Sequence, residues 1–348
     1  MRRRKRRRRR NKTIWFVSRF ATAIVLLASI GIFIHGCFLF GSFWFGGSES
    51  GFSQANVIQS FKLNKKVASK DDKKEKTKKK KNNKAKQIED YPSYCELEKV
   101  EKPIERSFSE VLQRLQELAK DDKTIARIYK KKELYPEKLL EALANNPEMA
   151  DFTEKYLSNN GTVSSALTSF EQKQKYPLFL QWDPRWGYTE YGEDSFLGLS
   201  GCGPTCLSMV LYYLTGDKAL TPDKIAAYSL ENGYYVQGTG TAWALLEDLP
   251  SLYHINVRQL GFSEEGMKAE LDMGHMIICV MGSGDFTVAG HFIVIYGYDE
   301  KGFMINDPNC VARSRKRWKF TEIEGQVKNL WTYWESEEDI EGIVHYVE

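Results

Sequence analysis

The chain has 348 residues, 42% of them apolar, which suits one or two folded domains and excludes a disordered polyelectrolyte. Its 50 Lys and Arg against 46 Asp and Glu are distributed very unevenly. Residues 1–19 hold 11 bases and no acid, residues 62–87 hold 13 lysines and three acids, and residues 88–348 hold 26 bases against 42 acids, a net charge of −16. The part long enough to fold is therefore acidic, which argues against a nucleic-acid-binding domain.

The first element is a basic tail over 1–19. From Phe20 to Phe40 follow 21 residues without a charge, long enough to cross a bilayer core as a helix, and the expected membrane segment is 20–45. Bases crowd its amino-terminal flank and are missing from the other, so the amino terminus is expected in the cytoplasm and the remainder outside the cell membrane. A cleaved signal peptide fits less well, because the apolar run is long and no small-residue cleavage pattern follows it closely. The arginine run could be a nucleic-acid arm, but beside a spanning segment it reads as an orientation signal that also attracts anionic lipid. Cys37 is read as a bystander thiol rather than a lipid-modified cysteine.

Residues 46–90 carry the lysine tract and little to bury, and are read as a disordered tether whose lysines can lie against anionic lipid or wall polymer. Over 91–175 the pattern turns helical. Phe108, Val111, Leu112, Leu115 and Leu118 recur at three- and four-residue spacing, and a second stretch after Tyr135-Pro136 breaks at Asn145-Asn146-Pro147. No chemical side chains cluster there, so this pre-domain is read as a spacer or lid rather than an inhibitor.

The last domain, 176–348, has two helix-like stretches, 203–214 and 222–231, followed by strand-like runs at 276–282, 291–298 and 302–308. Helices first and strands after predict an α+β fold. Gly201-Cys202-Gly203-Pro204-Thr205 opens the first helix and Gly216 suits its end. A cysteine at a helix start meets unpaired N–H groups and partial positive charge, which favour the nucleophilic thiolate. Cys206, one turn on between apolar residues, is read as a packed hydrophobe. The pair is badly directed for a disulfide, and a Cys279–Cys310 bridge is not favoured either.

Of five histidines, His35 lies in the membrane segment, His254 and His275 sit beside apolar strand-like runs and His345 is near the end; His291 begins a strand after Gly290, and Asp307 follows one hairpin later, so the carboxylate can orient the imidazole. Gln181, in LFLQWDPRWG, offers an amide donor for an oxyanion, whereas the WDPRWG stretch around it is read as a packed turn.

Taken in order, QWDPRWG, Tyr191-Gly192, GCGPTCLSMVL, AGHFIVIYGYD and NDPN resemble the stand-alone members of the bacteriocin-processing leader-peptidase-like family, within the papain-like cysteine peptidase superfamily. The resemblance covers about 176–335. It implies a papain-like fold, a nucleophile-bearing helix packed on an antiparallel sheet, with Cys202 as nucleophile, His291 as general base and then acid, Asp307 as its orienting partner and Gln181 in the oxyanion hole. It also implies a peptide or protein substrate. The string LYPEKLLEALANNPEMADF is similar to the region preceding this domain in relatives. No phosphate-binding loop or further span accompanies it, which separates the chain from transporter-fused members. No metal or organic cofactor is expected, since only Cys202 and Cys206 fall at zinc-ligand spacing. Two other readings share the sequence: an amidase or endopeptidase acting on wall peptidoglycan through the same site, and a non-catalytic docking module.

Overall fold

The computed structural model describes residues 97–336 apart from 160, 162 and 165. The expected basic tail, membrane segment and tether lie outside the described residues, as do Cys95 and His345. Among the described residues no helix is long and apolar enough to cross a membrane.

Four short helices come first: α1 (Phe108–Leu118), α2 (Lys123–Tyr129), α3 (Glu137–Asn145) and α4 (Ala150–Lys155). Polar residues fix where they start. The Ser107 N–H donates to Glu110 at 2.7 Å, and Asp122 accepts from the N–H groups of Thr124 and Ile125 at 2.7 and 3.0 Å. Helix α3 stops where Asn145-Asn146-Pro147 breaks the pattern, and Asn146 accepts from the Glu148 N–H to open a 3₁₀ turn, Pro147–Met149. On α1, Val111 and Leu115 are buried while Phe108 remains 39% exposed, so the apolar stripe is used mainly at its centre.

The second part contains α5 (Leu197–Ser200), α6 (Cys202–Thr215), α7 (Pro222–Glu231), a small hairpin β1 (Tyr235–Val236) and β2 (Gly240–Thr241), and α8 (Ala244–Ser251). Then follow β3 (Ile255–Gln259), α9 (Glu264–Asp272), β4 (Met276–Met281), β5 (His291–Asp299), β6 (Gly302–Asn306), α10 (Val311–Ser314), β7 (Arg317–Trp318), α11 (Phe320–Ile323) and β8 (Val327–Glu335). The six longer-range strands form one antiparallel sheet in the order β3-β8-β4-β5-β6-β7. The architecture is α+β with an antiparallel sheet, the class expected from the order of helices and strands.

Every residue of β4 is buried because both faces of the sheet are covered. Ile277, Cys279, Ile293, Ile295 and Leu330 pack with Met267 of α9 and Ile323 of α11 on one side. Helix α6 covers the other side and is buried from Gly203 to Tyr212, which explains why it is apolar around its whole circumference. Gly216, at φ 65°, ends it in the left-handed conformation that glycine adopts without strain.

The helical part is not a detached spacer. Its core, Val111, Leu115, Ile125, Leu139, Leu143 and Phe152, is continuous with Leu180, Trp182 and Val311 of the second part. Phe152 stacks on Tyr188 at 4.3 Å between ring centroids, and the Tyr188 hydroxyl donates to the Phe152 carbonyl at 2.5 Å. Phe152→Ala is therefore expected to cost about 3–5 kcal/mol while unfolding keeps a single transition. Urea denaturation followed by both far- and near-ultraviolet circular dichroism tests this, and two separated transitions would contradict a shared core.

Candidate active site

Of the residues singled out in the sequence, Gln181, Cys202 and His291 line one cleft of about 480 Å³, and Asp307 lies fully buried against His291. Cys202 is the first residue of α6, at the helix end where the leading N–H groups have no intrahelical partner. The helix can start deep in the fold because Gly203 lies flat on Thr241; a Cβ there would meet Thr241 Oγ1 at 2.7 Å. Thr241 is held in turn by the Tyr191 hydroxyl at 2.7 Å, which also bonds Ser229 at 2.9 Å. Burial pushes the Tyr191 phenol up to about 12, so it stays protonated and able to hold both hydroxyls.

The β5–β6 hairpin supplies the next pair. Val294 stands opposite Asn306 in the antiparallel register, and the chain leaves β6 into Asp307. There His291 Nε2 lies 2.7 Å from Asp307 Oδ1, with both side chains buried. Cys202 lines the same cleft as His291, and with Nε2 engaged by Asp307 the ring nitrogen without a carboxylate partner is Nδ1. Burial alone would lower the His291 pKa, but Asp307 and then Cys202 outweigh it and push it up to about 9.

Asp307 has a second partner that the sequence reading did not find. Arg313 Nε donates to its Oδ2 at 2.5 Å, and the guanidinium is only 2% exposed. Burial works against the Asp307 carboxylate, yet Arg313 and His291 prevail and hold it at about 2. The Asn309 N–H donates to Oδ1 at 2.8 Å, and Ser314 Oγ accepts from the Asp307 N–H at 2.8 Å. Arg313 carries no motif that would have singled it out; its pairing emerges from the turn through α10.

Gln181 is 3% exposed, not a surface residue. Its backbone N–H donates to the Pro308 carbonyl at 2.7 Å, which ties it to the Asp307 loop, and Nε2 donates to the Gly198 carbonyl at 3.0 Å. An amide has two such hydrogens, so this bond occupies one of them. Around it the WDPRWG stretch is the packed turn the sequence suggested. Trp186 is fully buried, and Arg185 bridges Asp183 and Glu171 at 2.7 and 2.6 Å.

The other candidates fall away from the cleft. Cys206 is fully buried, and desolvation drives its thiol well up. Cys202, Cys206, Cys279 and Cys310 are all free thiols. His275 bonds Glu270 at 2.8 Å behind the sheet, and His254 sits at a turn with φ 57°. Among the described residues no cluster of His, Cys, Asp and Glu could hold a metal ion.

Residues 173–338 match the Peptidase_C39 like family. This domain is a cysteine peptidase. The match spans slightly under half the chain and begins after the four helices. Among solved structures, the peptidase domain of Streptococcus ComA, a bi-functional ABC transporter involved in quorum sensing, is 16% identical over 43% of this chain and 99% of its own, with a TM-score of 0.32. A structure described as a C39-like peptidase from Bacillus anthracis is 17% identical over 46% of this chain and 95% of its own, also at 0.32. No curated protein sequence matches the chain.

The raised His291 pKa makes folding pH-dependent in a defined window. The ring binds its proton more tightly folded than unfolded, so the stabilisation is complete below 6.5, the ordinary value, and fades as pH rises through 9. Relative to His291→Ala, the unfolding free energy of the wild-type chain is expected to fall by on the order of 3 kcal/mol across that interval. Urea unfolding of both at several pH values measures it; a constant difference would contradict the shift.

Proposed function

We propose that the chain is a membrane-anchored cysteine peptidase whose active domain lies outside the cytoplasm and which hydrolyses peptide bonds through Cys202, His291, Asp307 and Gln181. The observation that carries the chemistry is that Cys202, at the start of its helix, and His291, bonded through Nε2 to the buried Asp307 at 2.7 Å, line the same cleft. The anchor rests on the uncharged run Phe20–Phe40 and its one-sided basic flank.

In this mechanism the Cys202 proton already resides on His291 at rest, and the imidazolium beside the sulfur stabilises the thiolate. The thiolate attacks the substrate carbonyl carbon. The second N–H of the Gln181 amide and the Cys202 N–H donate to the oxyanion, whose negative charge also gains from the helix terminus. His291 then gives its proton to the departing amine, leaving a thioester. Water attacks the thioester as His291 takes one of its protons, and the acid product leaves as the thiolate–imidazolium pair is restored. Asp307 keeps Nε2 engaged throughout, so that Nδ1 alone exchanges the proton with sulfur.

Iodoacetamide at neutral pH is expected to alkylate Cys202 before the buried Cys206, His291→Ala to slow that alkylation, and Cys202→Ala to abolish hydrolysis without unfolding the chain. Gln181→Ala is expected to lower kcat by roughly 10²–10³ with little change in KM. Gel analysis of an unfolded protein substrate beside purified cell wall reads the bond that is cut. Release of wall peptides alone would favour the peptidoglycan reading, and full hydrolytic activity in Cys202→Ala would overturn the site.

A further inference from the structure

The residues that precede the matched family segment reach the site in two places. Helix α3 lines the catalytic cleft with Lys138, Glu141 and Asn145. Beyond it, Glu148 crosses to the loop that follows Asp307. Its Oε2 accepts from the Val311 N–H at 2.7 Å and its Oε1 from the Ala312 N–H at 2.9 Å, so both carboxylate oxygens hold the first turn of α10. That turn carries Arg313, whose Nε bonds Asp307 Oδ2, and Ser314, whose hydroxyl accepts from the Asp307 N–H. The neighbouring Asn146 donates through Nδ2 to the Asn309 carbonyl, which Trp182 Nε1 also engages at 2.8 Å. The ionisable groups facing Glu148 are Asp307, Arg313 and Cys310.

We infer that Glu148 is a positioning residue of the cysteine site, acting from the helical segment through α10 and Arg313 to hold Asp307 against His291. The inference rests on the assignment of Cys202 and His291 made above. It makes residues 137–149 a working part of the peptidase rather than a spacer. The chemistry at issue is geometric. Two charged-acceptor hydrogen bonds fix the start of a four-residue helix that is too short to hold itself, and the guanidinium it carries sets the plane of the carboxylate. With that turn loosened, Asp307 swings away from Nε2 and the imidazolium loses the partner that keeps it protonated.

The test uses the full-length chain and the pH dependence of Cys202 alkylation by iodoacetamide, with near-ultraviolet circular dichroism to establish folding. Glu148→Ala is expected to slow alkylation at neutral pH by roughly 10- to 100-fold and to shift the alkaline limb of the pH profile to lower pH, which simple loosening of a remote helix would not do. Glu148→Gln, with one acceptor oxygen left, is expected to fall between. Should Glu148→Ala fail to fold, Val311→Pro removes one of the two N–H donors at the first position of α10, where proline suits a helix, and is expected to shift the same limb in the same direction. Wild-type rate and profile in folded Glu148→Ala, or in Val311→Pro, would overturn the inference. If His291→Ala also leaves alkylation unchanged, the assignment of the site has failed with it; if His291→Ala slows alkylation and these variants do not, only the role of Glu148 falls.

Discussion

A carboxylate with no exposure to water, Asp307, sits between two buried cationic groups, His291 at 2.7 Å and Arg313 at 2.5 Å, and the rest of the site depends on that arrangement. An isolated charge there would cost several kcal/mol in desolvation, so the carboxylate persists only because both of its oxygens are occupied by donors. The antiparallel register of β5 with β6 delivers one donor, and the turn through α10 delivers the other. Once Asp307 is fixed, one face of the imidazole is fixed too, and only the remaining nitrogen is left for the sulfur. The helix that carries Cys202 is placed by its packing over the sheet and by the close approach of Gly203 to Thr241.

This dependence explains why the helical segment and the peptidase domain share a core. The loop 307–314 has little regular structure of its own, yet it carries the group that neutralises Asp307. Val311 packs in the same cluster as Leu139, Leu143 and Phe152, and Asn146 and Glu148 bond the backbone of that loop. Gln181 belongs to the same assembly through the Pro308 carbonyl. The bonds that set the cleft therefore come from both sides of the boundary at which the family match begins. Lys138, Glu141 and Asn145 of that segment line the cleft as well.

Much of this was legible in the residues. Helix α6 announced itself through Gly201, Pro204 and Gly216, because caps and turns are local chemistry, and its observed span Cys202–Thr215 lies within a residue of the expected 203–214. The β5–β6 hairpin was legible for the same reason, its strands being separated only by the turn at Glu300-Lys301. What stayed hidden is long-range. Strand β8 lies inside the sheet between β3 and β4, second from its edge, but Leu330, Trp331, Thr332 and Tyr333 are all buried, so no alternation marked it as a strand. Arg313 and Glu148 look like ordinary surface charges in a highly charged chain; Arg313 is buried against a partner six residues away, and the exposed Glu148 meets its backbone partner 163 residues away. The helical segment showed no cluster of chemical side chains because its contribution is one carboxylate aimed at a distant backbone.

The most direct measurement of the central claim is the protonation state of the His291 ring in the full-length chain, read from its side-chain ¹⁵N chemical shifts as a function of pH and assigned by comparison with His291→Ala. With Asp307 held between the imidazole and Arg313, both ring nitrogens remain protonated at pH 7.5 and the ring titrates near 9. A ring that is neutral at pH 7.5 and titrates near 6.5, the value of an ordinary histidine, would contradict the account.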